Sequence, residues 1–300
     1  MNKQVRSVAI SKSQTWWADF GLLIKFRLTM LVVITALGAA LIATGGAVDL
    51  LTLALLGLGG FSITAAANAL NEILEKDYDQ QMTRTANRPL AAGRMQVNNA
   101  LLIAGLLFVC GIILLALFNP LASLLGAMSV VLYAFLYTPL KRVTPFSVFV
   151  GAIPGALPMM IGVVALEGSL TYLALVLFAI QFFWQFPHFW SIGFLGFEDY
   201  KKAGYKLMPM TGDSLNRSLG WQCFVFSLFL IPCCVAPALL GEIAPWSSAV
   251  AILFSLVYTW YSWRLHVKFD RVSARNLMFC SFFYLPLILL TFYLGTAPWI

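Results

Sequence analysis

The residues best suited to chemistry lie in the stretch ANALNEILEKDYD, where an apolar run gives way to amide and charged side chains. Asn68, Asn71, Glu75 and Asp79 are spaced three, four and four residues apart, so a helix would place them on one face. Two carboxylates one turn apart, with amides beside them, form a hard, oxygen-rich site. Mg²⁺ prefers such oxygens and often binds through one or two carboxylates together with substrate phosphates. The stripe therefore predicts a magnesium site for a phosphorylated substrate.

Arginines follow this stripe in the stretch RTANRPLAAGR, at Arg84, Arg88 and Arg94. The planar guanidinium group presents a fork of donors that matches phosphate oxygens. Carboxylates followed by arginines, at the end of an apolar run, indicate a diphosphate that a metal ion bridges to the protein.

The simpler interpretation of the same stretch is a solvated loop with charges at a helix end. Glu72 and Lys76 fit that interpretation, as a pair one turn apart on the opposite face. Asn68 and Asn71 favour a functional site, because polar groups within an apolar span are costly and usually functional.

A second polar group lies in the stretch IQFFWQFPHFWSIGFLGFEDYKKAGYKLMP. Gln181, Gln185 and His188 share one helical stripe, which would reach Asp199 if the helix continued. Pro187 is expected to kink that helix. Lysines follow at Lys201, Lys202 and Lys206. Both polar groups thus share one plan: an apolar helix, amides, an acid and then bases.

Two side chains have two interpretations each. His188 is either a hydrogen-bonded interior histidine or a contact to a buried substrate. Lys141, in the stretch YTPLKR, is either an interfacial anchor or a further diphosphate contact.

The elements that must position these residues are transmembrane helices. Hydrophobic residues make up 61% of the chain and charged residues only 10%, against roughly 25% charged residues in soluble domains. Apolar runs long enough to cross a bilayer recur along the chain. We predict nine spans, at 28–46, 50–74, 99–118, 120–138, 146–166, 170–194, 218–240, 246–263 and 277–295.

The charges of the connecting segments are strongly asymmetric. All 19 lysines and arginines fall in the N-terminal segment or after even-numbered spans. Because positive loops face the cytoplasm, we expect a cytoplasmic N-terminus, and the net positive charge needs no nucleic-acid partner. The basic N-terminal segment lacks the apolar region of a signal peptide and is short for a transit peptide, so we expect a bacterial inner-membrane location. The predicted organisation is an N-terminal cytoplasmic segment, 1–27, and one membrane domain, 28–295, with catalytic cytoplasmic loops at 75–98 and 195–217.

The shared plan of the two polar groups predicts an internal repeat. Spans 1–4 and 5–8 would form two four-helix units around a central cavity, with the ninth span added. The predicted fold class is therefore an all-α integral membrane protein. The five cysteines lie inside predicted spans without metal-ligand spacing, and we interpret them as packing residues.

The motifs resemble a known family. The stretch NEILEKDYDQQMTRTANRPLAAGRM is similar to the first aspartate-rich motif of UbiA-type intramembrane prenyltransferases. The stretches YTPLKRVTPFSVFVGAIPGALPMMIG and WQFPHFWSIGFLGFEDYKKAGYKLMP resemble the protohaem IX farnesyltransferase (haem O synthase) branch of that family. The resemblance begins near Lys25 and weakens after the sixth span.

This resemblance implies nine helices around a central cavity and Mg²⁺-dependent transfer of farnesyl from farnesyl diphosphate to a vinyl group of haem b. Water would also add, which gives haem O. It implies that Asn71, Glu75 and Asp79 hold Mg²⁺ and diphosphate, and that Asp199 is the acid of the second motif. The implied diphosphate contacts are Arg84, Arg88, Lys141 and Lys202. The implied haem-side residues are His188, Gln185 and Trp184. The implied surroundings are the lipid bilayer and a downstream haem A synthase or oxidase assembly factors.

Three alternative interpretations fit the sequence less well. A small-molecule transporter would also have kinked spans and a repeat, but it would bind near the midplane, whereas these charges cluster at one mouth. Another UbiA-type prenyltransferase, acting on a quinone or chlorin precursor, is disfavoured by the WQFPHFW stretch and by Ala203, which stands where such enzymes have a second acid. A purely structural subunit would not explain the stripe.

Overall fold

The computed structural model describes residues 15–296, and most of this range is helical. Residues 1–14, which belong to the predicted segment 1–27, lie outside the described residues. The helices are α1 (Trp16–Leu23), α2 (Phe26–Ala43), α3 (Leu50–Asp79), α4 (Val97–Ala116), α5 (Pro120–Val131), α6 (Thr138–Leu140), α7 (Ser147–Glu167), α8 (Tyr172–Leu195), α9 (Phe197–Lys202), α10 (Ser218–Leu228), α11 (Leu230–Leu239), α12 (Pro245–Lys268) and α13 (Arg271–Thr296). A π-helical segment, Leu132–Tyr137, joins α5 to α6, and a small hairpin pairs β1 (Met210–Thr211) with β2 (Ser214–Leu215).

Eight helices in the described range are long and apolar enough to cross a membrane. They are α2, α3, α4, the continuous α5–α6 unit, α7, α8, the α10–α11 unit and α13. This confirms an all-α, multi-pass membrane protein. The predicted span 246–263 lies within α12, which is 24 residues long but is not among the eight. Its serines and aromatic residues make α12 less apolar, so the predicted count of nine spans is not confirmed.

Several helices begin at the capping residues that the sequence places between apolar runs. The side chains of Asp49, Asn119 and Thr171 each accept a hydrogen bond from the backbone N–H three residues further on. Pro120 occupies the first turn of α5, where a missing N–H costs nothing. These caps fix the starts of α3, α5 and α8.

Helix α3 is longer than the predicted span 50–74. It has 30 residues and ends at Asp79, so it is about 45 Å long at 1.5 Å per residue. That length exceeds the hydrocarbon core of a bilayer, which is about 30 Å thick. The whole predicted stripe therefore lies on one rigid helix that projects beyond the apolar run.

Helix α8 continues through Pro187 but ends at Leu195. Gly196 donates its N–H to the carbonyl of Ile192, and the short helix α9 begins at the next residue. Asp199 therefore lies on α9, so the polar stripe of α8 does not reach it as one continuous helix.

The helices pack in a closed succession: α2 contacts α3, and neighbours follow through α4, α5, α7, α8, α10, α12 and α13 back to α2. Small residues allow close approach at these contacts. A Cβ added to Gly162 on α7 would lie 2.1 Å from the carbonyl oxygen of Ala36 on α2. Membrane helices commonly pack through such residues. The division into two four-helix repeats, and the domain boundaries 28–295, remain predictions.

Candidate functional site

The predicted stripe is buried at the C-terminal end of α3. Asn71, Glu75 and Asp79 expose 1%, 4% and 0% of their surfaces. Asn71 Nδ2 donates to Glu75 Oε2 at 2.9 Å and also to Thr138 Oγ1 at 3.0 Å. Asn68, one turn earlier, donates to Thr29 Oγ1 at 3.1 Å. The stripe is thus part of a packed polar interior and not a solvated helix end.

Lys25, which the sequence analysis did not select, also contacts Asn71. Lys25 Nζ donates to Asn71 Oδ1 at 2.7 Å. Lys25 links α1 to α2 with φ of 50°, a left-handed conformation that few non-glycine residues adopt. Burial lowers the pKa of Lys25 to about 7, and the nearby Arg88 adds to that effect. In the sequence, the only feature that could have pointed to Lys25 is its position directly before the first apolar run.

Glu75 is held by groups from two other segments. Lys141 forms an ion pair with Glu75 Oε1, and Tyr205 donates its hydroxyl to the same oxygen at 2.9 Å. Burial lowers the pKa of Lys141, and the negative charge of Glu75 opposes that effect. Because Lys141 is only 8% exposed, it does not serve as an interfacial anchor. Tyr205, like Lys25, was missed by the sequence reasoning.

Asp79 combines one satisfied and one unsatisfied oxygen. Arg88 Nη1 contacts Asp79 Oδ2 at 2.6 Å. Asp79 Oδ1 is buried and has no hydrogen-bond partner among the described residues. A buried, unpaired carboxylate oxygen is costly, and a cation bound between Glu75 and Asp79 would remove that cost.

Glu72 corrects one part of the sequence interpretation. It is fully buried, and its Oε1 accepts a hydrogen bond of 3.2 Å from the backbone N–H of Leu90. The alternative interpretation, in which Glu72 and Lys76 form a solvated pair, is therefore wrong for Glu72. The reason is tertiary: the loop after α3 folds back over this face of the helix.

The remaining residues of the predicted diphosphate set lie at the edge of the cluster. Arg84 is exposed, and its guanidinium carbon lies 4.4 Å from the ring centroid of Tyr200 on α9. On the same helix Asp199 is half-buried and Lys202 is exposed. Within residues 15–296, neither forms a hydrogen bond or ion pair with the stripe. Of the predicted set, the structure thus joins Arg88 and Lys141 directly to it.

The predicted haem-side residues separate into two groups. His188 Nδ1 lies 2.7 Å from Ser281 Oγ on α13, and its ring stacks on Trp184 at 4.6 Å between centroids. Trp184 Nε1 donates to the Ser281 carbonyl at 3.0 Å. Gln185 instead donates to the carbonyl of Ala152 on α7 at 3.1 Å. His188 and Trp184 therefore form one group against α13, and Gln185 ties α8 to α7.

An apolar pocket adjoins the charged cluster. Tyr137, Trp190 and Met208 are among its lining residues. The Tyr137 ring also lies 4.8 Å from Lys141 Nζ. The apolar surface of this pocket therefore lies directly beside the charged residues.

The donor set suits a hard divalent cation that shares its coordination with a ligand. Within the described residues, no group of three or more histidine, cysteine or acidic side chains is close enough to hold a metal alone. Glu75, Asp79 and Asn71 offer two carboxylates and an amide. Mg²⁺ is typically bound by so few protein oxygens, with phosphates and water supplying the rest.

Comparison with known proteins gives consistent results. Residues 32–286 match the UbiA prenyltransferase family. The chain is 41% identical to a protein named protoheme IX farnesyltransferase from Cytophaga hutchinsonii, over 91% of this chain and 95% of that protein. It is 40% identical to a protein of the same name from Christiangramia forsetii, over 92% of this chain and 93% of that protein.

Solved structures show the same fold. A structure titled for digeranylgeranylglyceryl phosphate synthase in membranes aligns with a TM-score of 0.79 and 18% identity, covering 93% of this chain and 98% of that one. A UbiA homologue from Archaeoglobus fulgidus, bound to GPP and Mg²⁺, aligns with a TM-score of 0.66 and 16% identity, covering 91% of this chain and 99% of that one. The chain therefore belongs to the UbiA prenyltransferase family.

Proposed function

We propose that this protein transfers a farnesyl group from farnesyl diphosphate to a vinyl group of protohaem IX, with addition of water, to give haem O. The observation that carries the choice of substrates is the nearly full-length similarity to relatives named protoheme IX farnesyltransferase. The buried cluster at the end of α3 supports the chemistry, because it combines carboxylates for a metal with basic groups for a diphosphate.

Asn71, Glu75 and Asp79 would hold Mg²⁺, as the family resemblance implies. The unpaired Asp79 Oδ1 supports this assignment, and so does the hydrogen bond that Asn71 donates to Glu75. The bound GPP and Mg²⁺ of the Archaeoglobus fulgidus homologue support it at the level of the family. When bound, the metal ion would neutralise phosphate charge and make the diphosphate a better leaving group.

The basic residues of the cluster would bind the same diphosphate. Arg88 contacts the Asp79 carboxylate and Lys141 that of Glu75. Lys25 donates a hydrogen bond to Asn71. Their positive charges favour the extra negative charge that develops on the leaving group as the C–O bond breaks. Arg84, Lys202 and Asp199 lie at the edge of this cluster, where they would meet the diphosphate as it enters.

The apolar pocket beside Tyr137 would take the farnesyl chain. With the chain bound, its apolar lining residues would reduce the access of bulk water to the allylic carbon, which would protect a cationic intermediate. His188 and Trp184, stacked against α13, would contact the haem. Gln185 would support this wall indirectly, since it fixes α8 to α7.

The bond changes follow from this arrangement. The C1–O bond of farnesyl diphosphate breaks, and the electron pair leaves with the diphosphate. The vinyl group of haem supplies two electrons to C1, which forms the new C–C bond and leaves a cation on the former vinyl carbon. Water adds to that cation and loses a proton, which gives the hydroxyethylfarnesyl side chain. Holding both substrates in contact supplies much of the rate.

The location and orientation of the chain are part of the same proposal. The protein would lie in a bacterial inner membrane, and its N-terminus would be cytoplasmic because its bases segregate to one side. The loops 75–98 and 195–217 would then face the cytoplasm, and haem O would pass to a haem A synthase or an oxidase assembly factor. Reporter fusions after Glu167 should signal the outer side and fusions after Lys202 the cytoplasm. Reversed signals would contradict the topology.

The decisive experiment is pigment analysis after expression in cells that lack haem O. Appearance of haem O in cells with the wild-type chain, and not with a matched Asp79→Asn variant, would support the proposal. A prenylated quinone or chlorin product without haem O would favour the alternative acceptor. A change in a transported solute without any prenylated product would favour a transporter.

A further inference from the structure

An ion pair next to the charged cluster joins α1 to the loop that follows α3. Arg94 Nη2 lies 2.7 Å from Asp19 Oδ1, and Arg94 Nε lies 3.1 Å from Asp19 Oδ2. Each of the two side chains exposes only 8% of its surface. This is the two-point geometry in which arginine binds carboxylates most strongly. A buried pair of this kind is expensive to break, because either partner alone would be an uncompensated charge.

The guanidinium group of Arg94 also holds the residue that precedes Arg88. Arg94 Nη1 donates to Asn87 Oδ1 at 2.9 Å, and Nη2 donates to the Asn87 carbonyl at 2.8 Å. Arg88 in turn contacts Asp79 at 2.6 Å. Polar contacts therefore link Asp19, Arg94 and Asn87, and the peptide bond after Asn87 leads directly to the arginine beside the proposed metal ligand.

The loop between Arg88 and Arg94 is a compact turn, so its ends move together. The N–H of Ala92 donates to the Arg88 carbonyl at 2.8 Å, and the N–H of Arg94 donates to the Pro89 carbonyl at 2.9 Å. Glu72 on α3 fixes the middle of the turn through the Leu90 N–H. A displacement of the Arg94 side chain would thus be transmitted to Arg88.

Helix α1 supplies an independent attachment for this turn. Asp19 faces inward and is 6% exposed, whereas Trp16 and Trp17 are 56% and 74% exposed. Tryptophans are enriched at the membrane–water interface, where their rings hold a helix at fixed depth. The carboxylate of Asp19 is therefore fixed by a helix that is separate from the helices lining the cluster.

We infer that Asp19 and Arg94 are positioning residues for the diphosphate site: together they hold Asn87 so that the Arg88 guanidinium lies beside Asp79. Arg94 thus acts through its neighbours and not as a phosphate ligand. The inference rests on the proposed function, because it assigns Arg88 to the diphosphate. The inference concerns farnesyl diphosphate and not haem, since the contacts end at Asp79 and do not approach His188.

The test compares Asp19→Asn, Arg94→Lys and the conservative Asp19→Glu with the full-length wild-type chain in detergent. The matched control is Asp77→Asn, which removes the charge of an exposed acid on α3. The measurements are KM for farnesyl diphosphate, KM for haem, and the Kd of inorganic pyrophosphate in the presence of Mg²⁺ by calorimetry.

We expect Asp19→Asn and Arg94→Lys to raise the farnesyl diphosphate KM and the pyrophosphate Kd by about tenfold, since small displacements of a binding group cost this much or more. Lysine keeps the charge but cannot span Asp19 and Asn87 together. Asp19→Glu keeps the carboxylate and should retain most of the wild-type affinity for farnesyl diphosphate and pyrophosphate. The KM for haem should stay at the wild-type value in all three variants. Asp77→Asn should match wild type in all measurements.

Unchanged pyrophosphate binding in both Asp19→Asn and Arg94→Lys would overturn the inference, as would equal increases in the KM of both substrates. If Asp19→Asn does not fold, Arg94→Lys and Asp19→Glu still decide the outcome. If the wild-type chain makes no haem O, the proposed function fails. Pyrophosphate binding by the same variants would still show whether Asp19 and Arg94 position Arg88.

Discussion

Tyr205→Phe tests the geometry of the proposed metal site with the removal of a single oxygen atom. The Tyr205 hydroxyl donates to Glu75 Oε1 at 2.9 Å, and the side chain is buried. Burial and the adjacent Glu75 charge raise the pKa of Tyr205 well above its usual range, so the hydroxyl stays a donor at neutral pH. Phenylalanine keeps the ring and its contact with Tyr78.

The size of the effect follows from the kind of hydrogen bond that is lost. A hydrogen bond to a charged group contributes about 1.5–3 kcal/mol, and groups that orient metal ligands typically change metal affinity by about 10- to 100-fold. Lys141 still pairs with Glu75 in the variant, so the lower part of that range applies. We expect the Mg²⁺ concentration for half-maximal rate to rise about tenfold, with kcat restored at saturating Mg²⁺.

The assay is the initial rate of haem O formation across a Mg²⁺ series, with metal-free enzyme and both organic substrates saturating. Tyr200→Phe is the matched control, because its ring lies 6.1 Å from that of Tyr205. Within the described residues, its hydroxyl forms no hydrogen bond. A wild-type Mg²⁺ dependence for Tyr205→Phe would refute the reasoning, and so would a loss of kcat that added Mg²⁺ does not restore.

Other predictions address the rest of the molecule. Asp79→Asn keeps the shape of the side chain but removes its charge from the metal site, so prenyl transfer should be almost lost while membrane insertion stays normal; full activity at every Mg²⁺ concentration would exclude Asp79 from the site. His188→Ala should weaken haem binding in an absorbance titration and leave the affinity for a non-hydrolysable farnesyl diphosphate analogue unchanged; the opposite pattern would reverse the assignment of the two substrates. Gly162→Ala, whose Cβ would lie 2.1 Å from the Ala36 carbonyl oxygen, should destabilise the fold by about 1–3 kcal/mol, measured as a lower Tm; Gly105→Ala, where nothing lies within 4 Å, should not, and equal Tm values for the two variants would contradict the packing argument.

The sequence predicted those parts of the site that lie on one helix. Asn71, Glu75 and Asp79 repeat at the helical period, so their common face follows from local geometry alone. The apolar runs and the separation of charges likewise predicted a multi-pass membrane protein.

Contacts between distant segments could not be predicted in this way. Lys25 and Tyr205 meet α3 only because α1, α3 and the loop after α9 converge, and neither belongs to a periodic pattern. The stripe on α8 shows a further limit. Residues three positions apart, such as Gln185 and His188, differ by about 60° around a helix axis. That angle is enough for one to contact α7 and the other α13.

The π-helical segment Leu132–Tyr137 holds one residue more than an α-helix would over the same number of turns, and it lies directly before two residues of the site. Thr138 donates its hydroxyl to the Tyr133 carbonyl, five residues earlier, at 2.9 Å and accepts from Asn71 at 3.0 Å. One residue inserted into an unbroken α-helix would rotate everything that follows by about 100°, whereas a π-helical turn takes up the extra residue locally, so the turns on either side keep their orientation. Deleting a single residue between 132 and 137 would therefore let the segment close into a regular α-helix with Thr138 and Lys141 still facing Asn71 and Glu75, whereas one further inserted residue would have to be accommodated elsewhere or would turn both side chains away. The positions of Thr138 and Lys141 thus depend on the number of helical turns that precede them and not on the number of residues.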